Sequence, residues 1–207
     1  MDVAIIGTCN MGSGLAKALT AAGHSVTVTS KDPAKAHALA DEIGGRAAGS
    51  STDATADAKV VILAVYRDAF DEVLAEAGDA FDGKIVIDIS NRANENPGLA
   101  VDGSSNAELL QDRLPNSRVV KAFNTVFASR LGDPRIDGIP LDGFVAGDAS
   151  ARPIFLELVG SIGLRPVDAG SLEAARILEA MEALNIAIQM RDQGTWNNGW
   201  KLLEATS

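Results

Sequence analysis

Short apolar segments alternate with amphipathic stretches along the first 125 residues of the chain. Apolar runs at residues 2–6, 25–29, 59–65, 84–89 and 118–122 have the length and composition of buried strands. Stretches with a helical period lie between them, at 10–22, 32–44, 67–80 and 107–114. This order predicts an α/β fold with a doubly wound, mainly parallel sheet and right-handed crossovers.

The last third of the chain is less regular. Strands are predicted at 143–147 and 164–168, a helix between them at 152–162, and a long helix at 171–192. Periodicity leaves open whether these elements extend the sheet or form a small lobe. An apolar stripe along the long helix indicates packing in the core or in a dimer; it comprises Leu172, Ala175, Ile177, Leu178, Met181, Leu184 and Ile188.

A glycine-rich turn, Gly7-Thr-Cys-Asn-Met-Gly12, follows the first strand and opens a helix. The unpaired N–H groups at a helix N-terminus attract anions such as a pyrophosphate. Gly7 and Gly12 fill the first and third positions of the GxGxxG dinucleotide fingerprint. Cys9 replaces the second glycine, and its side chain projects where the pattern leaves a gap. The turn therefore predicts a dinucleotide site with a modified centre.

The end of the second strand indicates which dinucleotide. An NAD site places Asp or Glu there to accept a hydrogen bond from the ribose 2′-OH. This chain has Ser30 and Lys31 instead, with Lys35 one helical turn further on. Hydroxyls and cations suit a 2′-phosphate, so NADP(H) is favoured over NAD(H). The alternative is that Asp32 caps a helix that begins at Pro33 and that the lysines only face solvent.

Polar residues follow the strands on the carboxyl side, where ligands of open parallel sheets bind. Asn91 follows the strand predicted at 84–89, and Asn124 follows the strand predicted at 118–122. Both are candidates for a cofactor rim, and the alternative is that they cap local turns. The segments that we expect to line one crevice are 7–11, 29–31, 64–67, 89–92 and 123–125.

Composition narrows the class of protein. The formal net charge of the 207 residues is -10, which disfavours nucleic acids and anionic membrane surfaces as partners. The longest apolar run, at residues 60–66, is too short to cross a bilayer. A first strand at residue 2 leaves no room for a signal peptide, and the one cysteine fits a reducing compartment. We expect a cytoplasmic location.

Seven segments follow one another along nearly the whole chain, at 6–12, 29–33, 61–65, 86–91, 107–110, 119–125 and 199–203. Their combination and order resemble the NADPH-dependent reductases of the deazaflavin coenzyme F420. The resemblance implies a Rossmann domain, here residues 1–150, and a small C-terminal helical extension, residues 151–207. The extension would help to form the substrate pocket and is a candidate dimer interface. The family implies NADPH along the strand ends, F420 stacked on the nicotinamide and a homodimer.

Site residues follow from the resemblance by position. Tyr66 and Arg67 depart from the family, which commonly has proline after Ala-Val; Tyr66 is a candidate stacking surface or lid, and Arg67 a candidate phosphate contact. The predicted cofactor residues are Gly7, Thr8, Cys9, Asn10 and Met11 at the pyrophosphate turn, Ser30, Lys31 and Lys35 at the 2′-phosphate, and Ala64, Val65, Tyr66, Asn91 and Asn124 towards the nicotinamide. The predicted substrate residues are Arg92, Phe123, Asn124 and Thr125.

The predicted chemistry asks little of the side chains. Hydride transfer between two cofactors needs aligned stacking and exclusion of water, so we expect no catalytic side chain and no metal. His24 and His37 lie away from the strand ends. One alternative is an NADPH-dependent reductase of a flavin, an imine or another small substrate, for which the loop at 91–105 leaves room. The other is a non-catalytic NADP(H)-binding module.

Overall fold

The computed structural model describes residues 1–92 and 103–203, which form one sheet of eight strands, a small hairpin and seven helices. The strands are β1 (Asp2–Ile6), β2 (Ser25–Thr29), β3 (Arg46–Ala47), β4 (Val60–Leu63), β5 (Ile85–Asp88), β6 (Arg118–Ala122), β7 (Arg135–Ile136), β8 (Ile139–Pro140), β9 (Asp142–Gly147) and β10 (Arg165–Gly170). The helices are α1 (Asn10–Ala21), α2 (Pro33–Ile43), α3 (Ser51–Thr55), α4 (Phe70–Ala77), α5 (Asn106–Arg113), α6 (Arg152–Ser161) and α7 (Ala175–Arg191).

The order of the main sheet is β10-β9-β6-β5-β4-β1-β2-β3. Every neighbouring pair is parallel except β6 and β9, which are antiparallel. The predicted doubly wound, mainly parallel fold is confirmed, and the late strands β9 and β10 extend the sheet rather than form a separate lobe. The division of the chain at residue 150 stays a prediction.

Alternation along β1 distributes the core to two faces of the sheet. Val3 and Ile5 pack in the cluster that holds α1, α2 and α6, whereas Ala4 and Ile6 pack in the cluster that holds α3, α4 and α5. Successive strand side chains point to opposite faces, so a strand covered on both sides must be apolar throughout. Residues 3–6 are accordingly all buried.

The order in which strands are added to the sheet reverses between β1 and β4. Strands β2 and β3 lie on one side of β1, and β4, β5 and β6 lie on the other. Ile6 pairs with both Thr29 and Leu63, so three strands end at one level. A crevice at such a topological switch point is the usual ligand site of this fold class.

One predicted helix is wrong as a single element. The stretch at 67–80 consists of a 3-10 turn at Arg67–Ala69, then α4, then a second 3-10 turn at Gly78–Phe81. Gly78 has a φ of 52°, which ends α4 because a left-handed residue cannot continue an α-helix. The first 3-10 turn gives the chain a corner directly after Val65 and Tyr66.

Candidate dinucleotide-binding site

The glycine-rich turn between β1 and α1 is packed so tightly that two of its positions exclude a side chain. Gly7 has a φ of 111°, and a Cβ there would lie 2.2 Å from the carbonyl oxygen of Ala64. A Cβ at Gly12 would lie 2.1 Å from the carbonyl oxygen of Gly7. Both distances are far below van der Waals contact, so the first and third glycines are structural requirements of the turn.

Cys9 occupies the position of the second glycine without strain. Its φ is −66° and its ψ is 176°, an extended conformation open to any residue, and it is the N-cap of α1. The thiol donates a hydrogen bond to the carbonyl oxygen of Ala64 at 3.3 Å and makes no capping hydrogen bond. The first N–H groups of α1 therefore keep no side-chain cap, which leaves them for an anion.

The turn after β2 is joined to the glycine-rich turn by hydroxyl groups. The Thr8 hydroxyl donates to the Ser30 hydroxyl oxygen at 3.0 Å, and that oxygen also accepts from the Asp32 backbone N–H at 3.2 Å. Asp32 caps α2 by accepting from the N–H groups of Ala34 and Lys35 at 3.1 and 3.4 Å. The predicted cap is thus present, and its hydrogen bonds use neither the Lys31 nor the Lys35 ammonium group.

Each lysine of this region has an acidic partner. Lys31 Nζ contacts Glu72 Oε2 on α4, and Lys35 Nζ lies 3.6 Å from Asp32 Oδ2. The side chains of Lys31 and Lys35 are 66% and 70% exposed, so solvent screens both pairs. Both cations are therefore accessible to an incoming anion.

A cleft of about 780 Å³ brings most of the predicted cofactor residues together. Those that line it are Gly7, Thr8, Cys9, Asn10, Met11, Ser30, Lys31, Lys35, Ala64, Val65, Tyr66 and Asn91. A second cleft of about 450 Å³ lies beside it and shares Gly7, Ser30, Lys31 and Val65 with the first. The two form one groove across the carboxyl ends of β1, β2, β4 and β5.

Asn91, in the wall of the larger cleft, forms a reciprocal hydrogen-bonded pair with Asn124 behind it. Asn124 Nδ2 donates to Asn91 Oδ1 at 2.8 Å, and Asn91 Nδ2 donates to the Asn124 carbonyl oxygen at 3.2 Å. Asn124 Nδ2 also donates to the carbonyl oxygen of Leu178 on α7 at 3.0 Å. Asn124 is 3% exposed, so in this structure it supports Asn91 rather than lining the cleft.

The other predicted substrate residues lie deeper or at the edge of the described chain. Phe123 is fully buried, in the core cluster with α1, and has a φ of 62°, which is unusual for a side chain of its size. Thr125 is 1% exposed, and its hydroxyl has no hydrogen-bond partner among the described residues. Arg92 is half-buried, and residues 93–102 of the predicted substrate loop lie outside the described residues.

A buried ionic cluster stands under Ser90 and Asn91. Lys121 Nζ is fully buried and lies 2.7 Å from both Asp88 Oδ2 and Glu179 Oε1, and it also donates to the Ser90 carbonyl oxygen. Burial raises the pKa of Glu179, and the nearby ammonium of Lys121 opposes that shift. The cluster ties β5, β6 and α7 together beneath the cleft.

Three of these features were not predicted from the sequence. Glu72 and Ile186 line the groove, and the Lys121 cluster supports it. Glu72 and Ile186 lie inside amphipathic helices, where no local pattern separates a ligand-facing residue from a solvent-facing one. The lysine at 121, between the apolar residues Val120 and Ala122, was a usable signal, because a buried cation requires buried carboxylates.

Among residues 1–92 and 103–203, no three or more His, Cys, Asp or Glu side chains are grouped so that they could hold a metal ion. Over the same residues, no helix combines the length and the apolar composition that crossing a membrane requires.

Comparisons with known sequences indicate the family to which the chain belongs. The family model described as "NADP oxidoreductase coenzyme F420-dependent" matches residues 2–92. The F420-dependent NADP reductase of Methanothermobacter marburgensis is 32% identical over 215 residues, which cover 93% of this chain and 94% of that protein. Metalloreductase STEAP3 of Rattus norvegicus is 31% identical over 184 residues, and the match covers 86% of this chain. The chain spans about a third of that longer relative, 36% of its length.

Solved structures agree with the sequence comparison. A protein of Arthrobacter sp. FB24, described as a candidate F420-dependent NADP reductase, superposes with a TM-score of 0.86 at 29% identity, covering 98% of this chain and all of that one. An imine reductase of Aspergillus terreus has a TM-score of 0.72 at 18% identity and covers 93% of this chain and 63% of its own; it shares the fold. The match along nearly the whole length of the Methanothermobacter reductase decides the family. The chain belongs to the F420-dependent NADP reductases.

Proposed function

We propose that this protein is an oxidoreductase that transfers hydride reversibly between NADP(H) and the deazaflavin coenzyme F420. The observation that carries the proposal is the groove at the switch point of the sheet, where a glycine-rich helix start and two exposed lysines face one continuous space. Membership of the F420-dependent NADP reductases supports both the activity and the two cofactors.

The adenosine end of NADP(H) belongs, in this proposal, to the turns after β1 and β2. Thr8, Asn10 and Met11 would hold the pyrophosphate at the start of α1, where backbone N–H groups and the helix dipole favour an anion. Ser30, Lys31 and Lys35 would hold the 2′-phosphate. The absence of Asp or Glu at positions 29–31 supports this choice, because a carboxylate there would repel the phosphate.

The nicotinamide end belongs to the turns after β4 and β5. Ala64, Val65 and Asn91 line the larger cleft there, and Tyr66 stands at its edge with 67% of its surface exposed. NADP(H), when bound, supplies or accepts the hydride on its nicotinamide ring. The chain would hold the two ring systems in register and keep water out, with Tyr66 as a stacking surface or lid.

The acceptor side is proposed from position along the strand ends. Arg92, Phe123, Asn124 and Thr125 stay the predicted substrate residues. In the structure Asn124 fixes Asn91, so its contribution would be to hold the wall against which the deazaflavin stacks. We propose no catalytic acid, base or nucleophile, because both reacting atoms belong to the cofactors.

We further propose that the protein is a homodimer of the cytoplasm with α7 at its interface. Ile177, Met181, Leu184 and Ile188 follow one another at helical spacing, and Ile177 and Leu184 are 57% and 40% exposed. Besides Ala175 and Leu178, the buried face of α7 carries the polar residues Glu179, Glu182, Asn185 and Gln189. A helix with its apolar stripe on the outside needs a covering surface, and a second copy supplies one by symmetry.

Reduction of F420 by NADPH tests the activity directly. Purified protein mixed with NADPH and F420 should bleach the deazaflavin absorption, and reduced F420 with NADP should restore it. Flavin mononucleotide and a cyclic imine serve as alternative acceptors in parallel reactions. Oxidation of NADPH only with those acceptors would replace the proposal by a different reductase, and NADPH binding without any turnover would replace it by a binding module.

A further inference from the structure

An ion pair spans the adenosine side of the groove. Lys31 lies on the turn after β2, and Glu72 lies on α4, 41 residues later in the chain. The Lys31 ammonium contacts the Glu72 carboxylate, and both side chains line the smaller cleft together with Ser30. A nucleotide that places a phosphate beside Ser30 must therefore meet Lys31 while it is already paired with an anion.

The pair is suited to exchange. The side chains of Lys31 and Glu72 are 66% and 62% exposed, so neither is held by burial. Exposed ion pairs are weak, whereas an ammonium gains more from a phosphate that brings a larger charge and three acceptor oxygens. The partner of Lys35 differs from Glu72. Its carboxylate, that of Asp32, already accepts hydrogen bonds from two backbone N–H groups as the cap of α2.

We propose that Glu72 is a specificity-determining residue: its carboxylate competes with the nucleotide 2′-phosphate for Lys31 and so limits the preference of the site for phosphorylated over unphosphorylated nucleotide. This inference rests on the proposed binding of NADP(H) in the groove. The competition acts only on ligands that carry the 2′-phosphate, because an unphosphorylated ribose offers Lys31 no anion to exchange for Glu72. Glu72 would thus lower affinity for NADP(H) and speed its release.

Neighbouring Glu76 provides a matched control. It lies one helical turn from Glu72 on α4 and lines the same cleft, but its carboxylate accepts a hydrogen bond from the Ser51 hydroxyl instead of pairing with Lys31. Glu76→Gln removes the same charge from the same cleft. A difference between the two variants therefore reports the contact with Lys31 and not the general field of the cleft.

The experiment measures dissociation constants for NADPH and NADH by calorimetry, without F420. Glu72→Gln should tighten NADPH binding about two- to fivefold, the upper part of the range that corresponds to an exposed ion pair, and leave NADH binding nearly unchanged. Glu76→Gln should shift NADPH binding by less than about 1.5-fold. In a Lys31→Met background, Glu72→Gln should no longer tighten NADPH binding.

Four results would overturn the inference: equal tightening in both glutamine variants, weaker NADPH binding in Glu72→Gln, tightening that persists without Lys31, or a wild type with no preference for NADPH. The last result would also remove NADP(H) from the proposed function. Failure of F420 turnover, with the predicted pattern of affinities intact, would overturn the proposed activity and leave the role of Glu72 standing.

Discussion

At the glycine-rich turn, single atoms decide which residues are allowed. Gly7 and Gly12 have no room for a Cβ, whereas Cys9, between them, has an allowed backbone and a thiol turned to the Ala64 carbonyl. The fingerprint of three glycines therefore combines two steric requirements with one position that tolerates a small side chain. Because Cys9 lines the larger cleft, the reactivity of its thiol should show whether a ligand occupies that cleft.

Cys9 alkylation should be blocked by the bound cofactor. Cys9 is exposed and is the one cysteine of the chain, so iodoacetamide modifies a single known site that mass spectrometry can quantify. Saturating NADPH should slow the modification at least about tenfold, as expected for a thiol reached mainly in the unliganded state. Adenosine at equal concentration is the control ligand. Equal rates with and without NADPH would place the nucleotide elsewhere.

The buried carboxyl group of Glu182 should make the stability of the protein depend on pH. Glu182 is 2% exposed, and burial raises its pKa to about 8, while a 3.4 Å hydrogen bond from Asn185 Nδ2 opposes the shift. An unfolded glutamate has a pKa of about 4.3. Between these values the folded chain holds a proton that the unfolded chain has lost, so stability falls as pH rises through this window and is not lost further above it.

Glu182→Gln should remove this penalty. The variant should match the wild type below about pH 4 and exceed it by about 1–3 kcal/mol at pH 8, measured by urea unfolding across the range. Glu173→Gln, at an exposed carboxylate in the turn before α7, is the control and should leave the pH profile unchanged. Parallel profiles for Glu182→Gln and wild type would contradict the assignment.

Among the elements, α7 is joined by polar contacts to strand β6 and to helix α5. Glu179 accepts from Lys121 Nζ on β6 at 2.7 Å and from the Asn106 backbone N–H on α5 at 2.9 Å. Arg176 donates hydrogen bonds to the carboxylate of Glu108 on α5 at 2.6 and 2.8 Å, and these bonds lower the pKa of Glu108 to about 2. Such contacts fix the direction and register of the helix, which places Ile186 in the cleft.

Removing Lys121 should loosen this junction. Lys121→Met leaves Asp88 and Glu179 buried without their cation, which costs about 3–5 kcal/mol of unfolding free energy. Adding Glu179→Gln should restore part of the loss, because one uncompensated charge disappears with it. Lys17→Met, at an exposed pair with Glu42, should cost less than about 1 kcal/mol. Urea unfolding compares them, and equal losses at Lys121 and Lys17 would contradict the role of the cluster.

The elements themselves were largely predictable from local patterns. The strands at Ser25–Thr29 and Arg118–Ala122 match their predicted ranges, because period and β-branched content act over a few residues. The hairpin of β7 and β8 was missed because two-residue strands carry no periodicity. Within the long apolar stripe, Ala175 and Leu178 are buried while Ile177 and Leu184 face outward, a division that depends on distant packing.

The candidate site was predictable as far as it depends on strand ends. Twelve predicted cofactor residues line the larger cleft, since parallel strands bring their carboxyl ends to one edge. Asn124 and Phe123 follow a strand end equally, yet they are buried, because the chain after β6 turns inward under α7. Their roles stay predictions.

For the whole molecule, the exposed stripe of α7 predicts the oligomeric state. Leu184→Glu places a charge in the middle of the stripe and should convert a dimer to a monomer, because a buried unpaired charge costs several kcal/mol. Ile139→Glu, at a 51% exposed position on the β7–β8 hairpin, is the control and should leave the dimer intact. Sedimentation velocity measures both, and a monomeric wild type would contradict the proposal.

The Lys121 cluster also limits how far this protein can be shortened. Its ammonium lies in β6, within the predicted Rossmann domain at residues 1–150, but one of its two carboxylates belongs to Glu179 on α7, 58 residues later. A minimal cofactor-binding fragment that stops before residue 175 would keep the cation and discard half of its neutralisation. Such a fragment would therefore need a substitution of Lys121 before it could fold with its buried charges balanced.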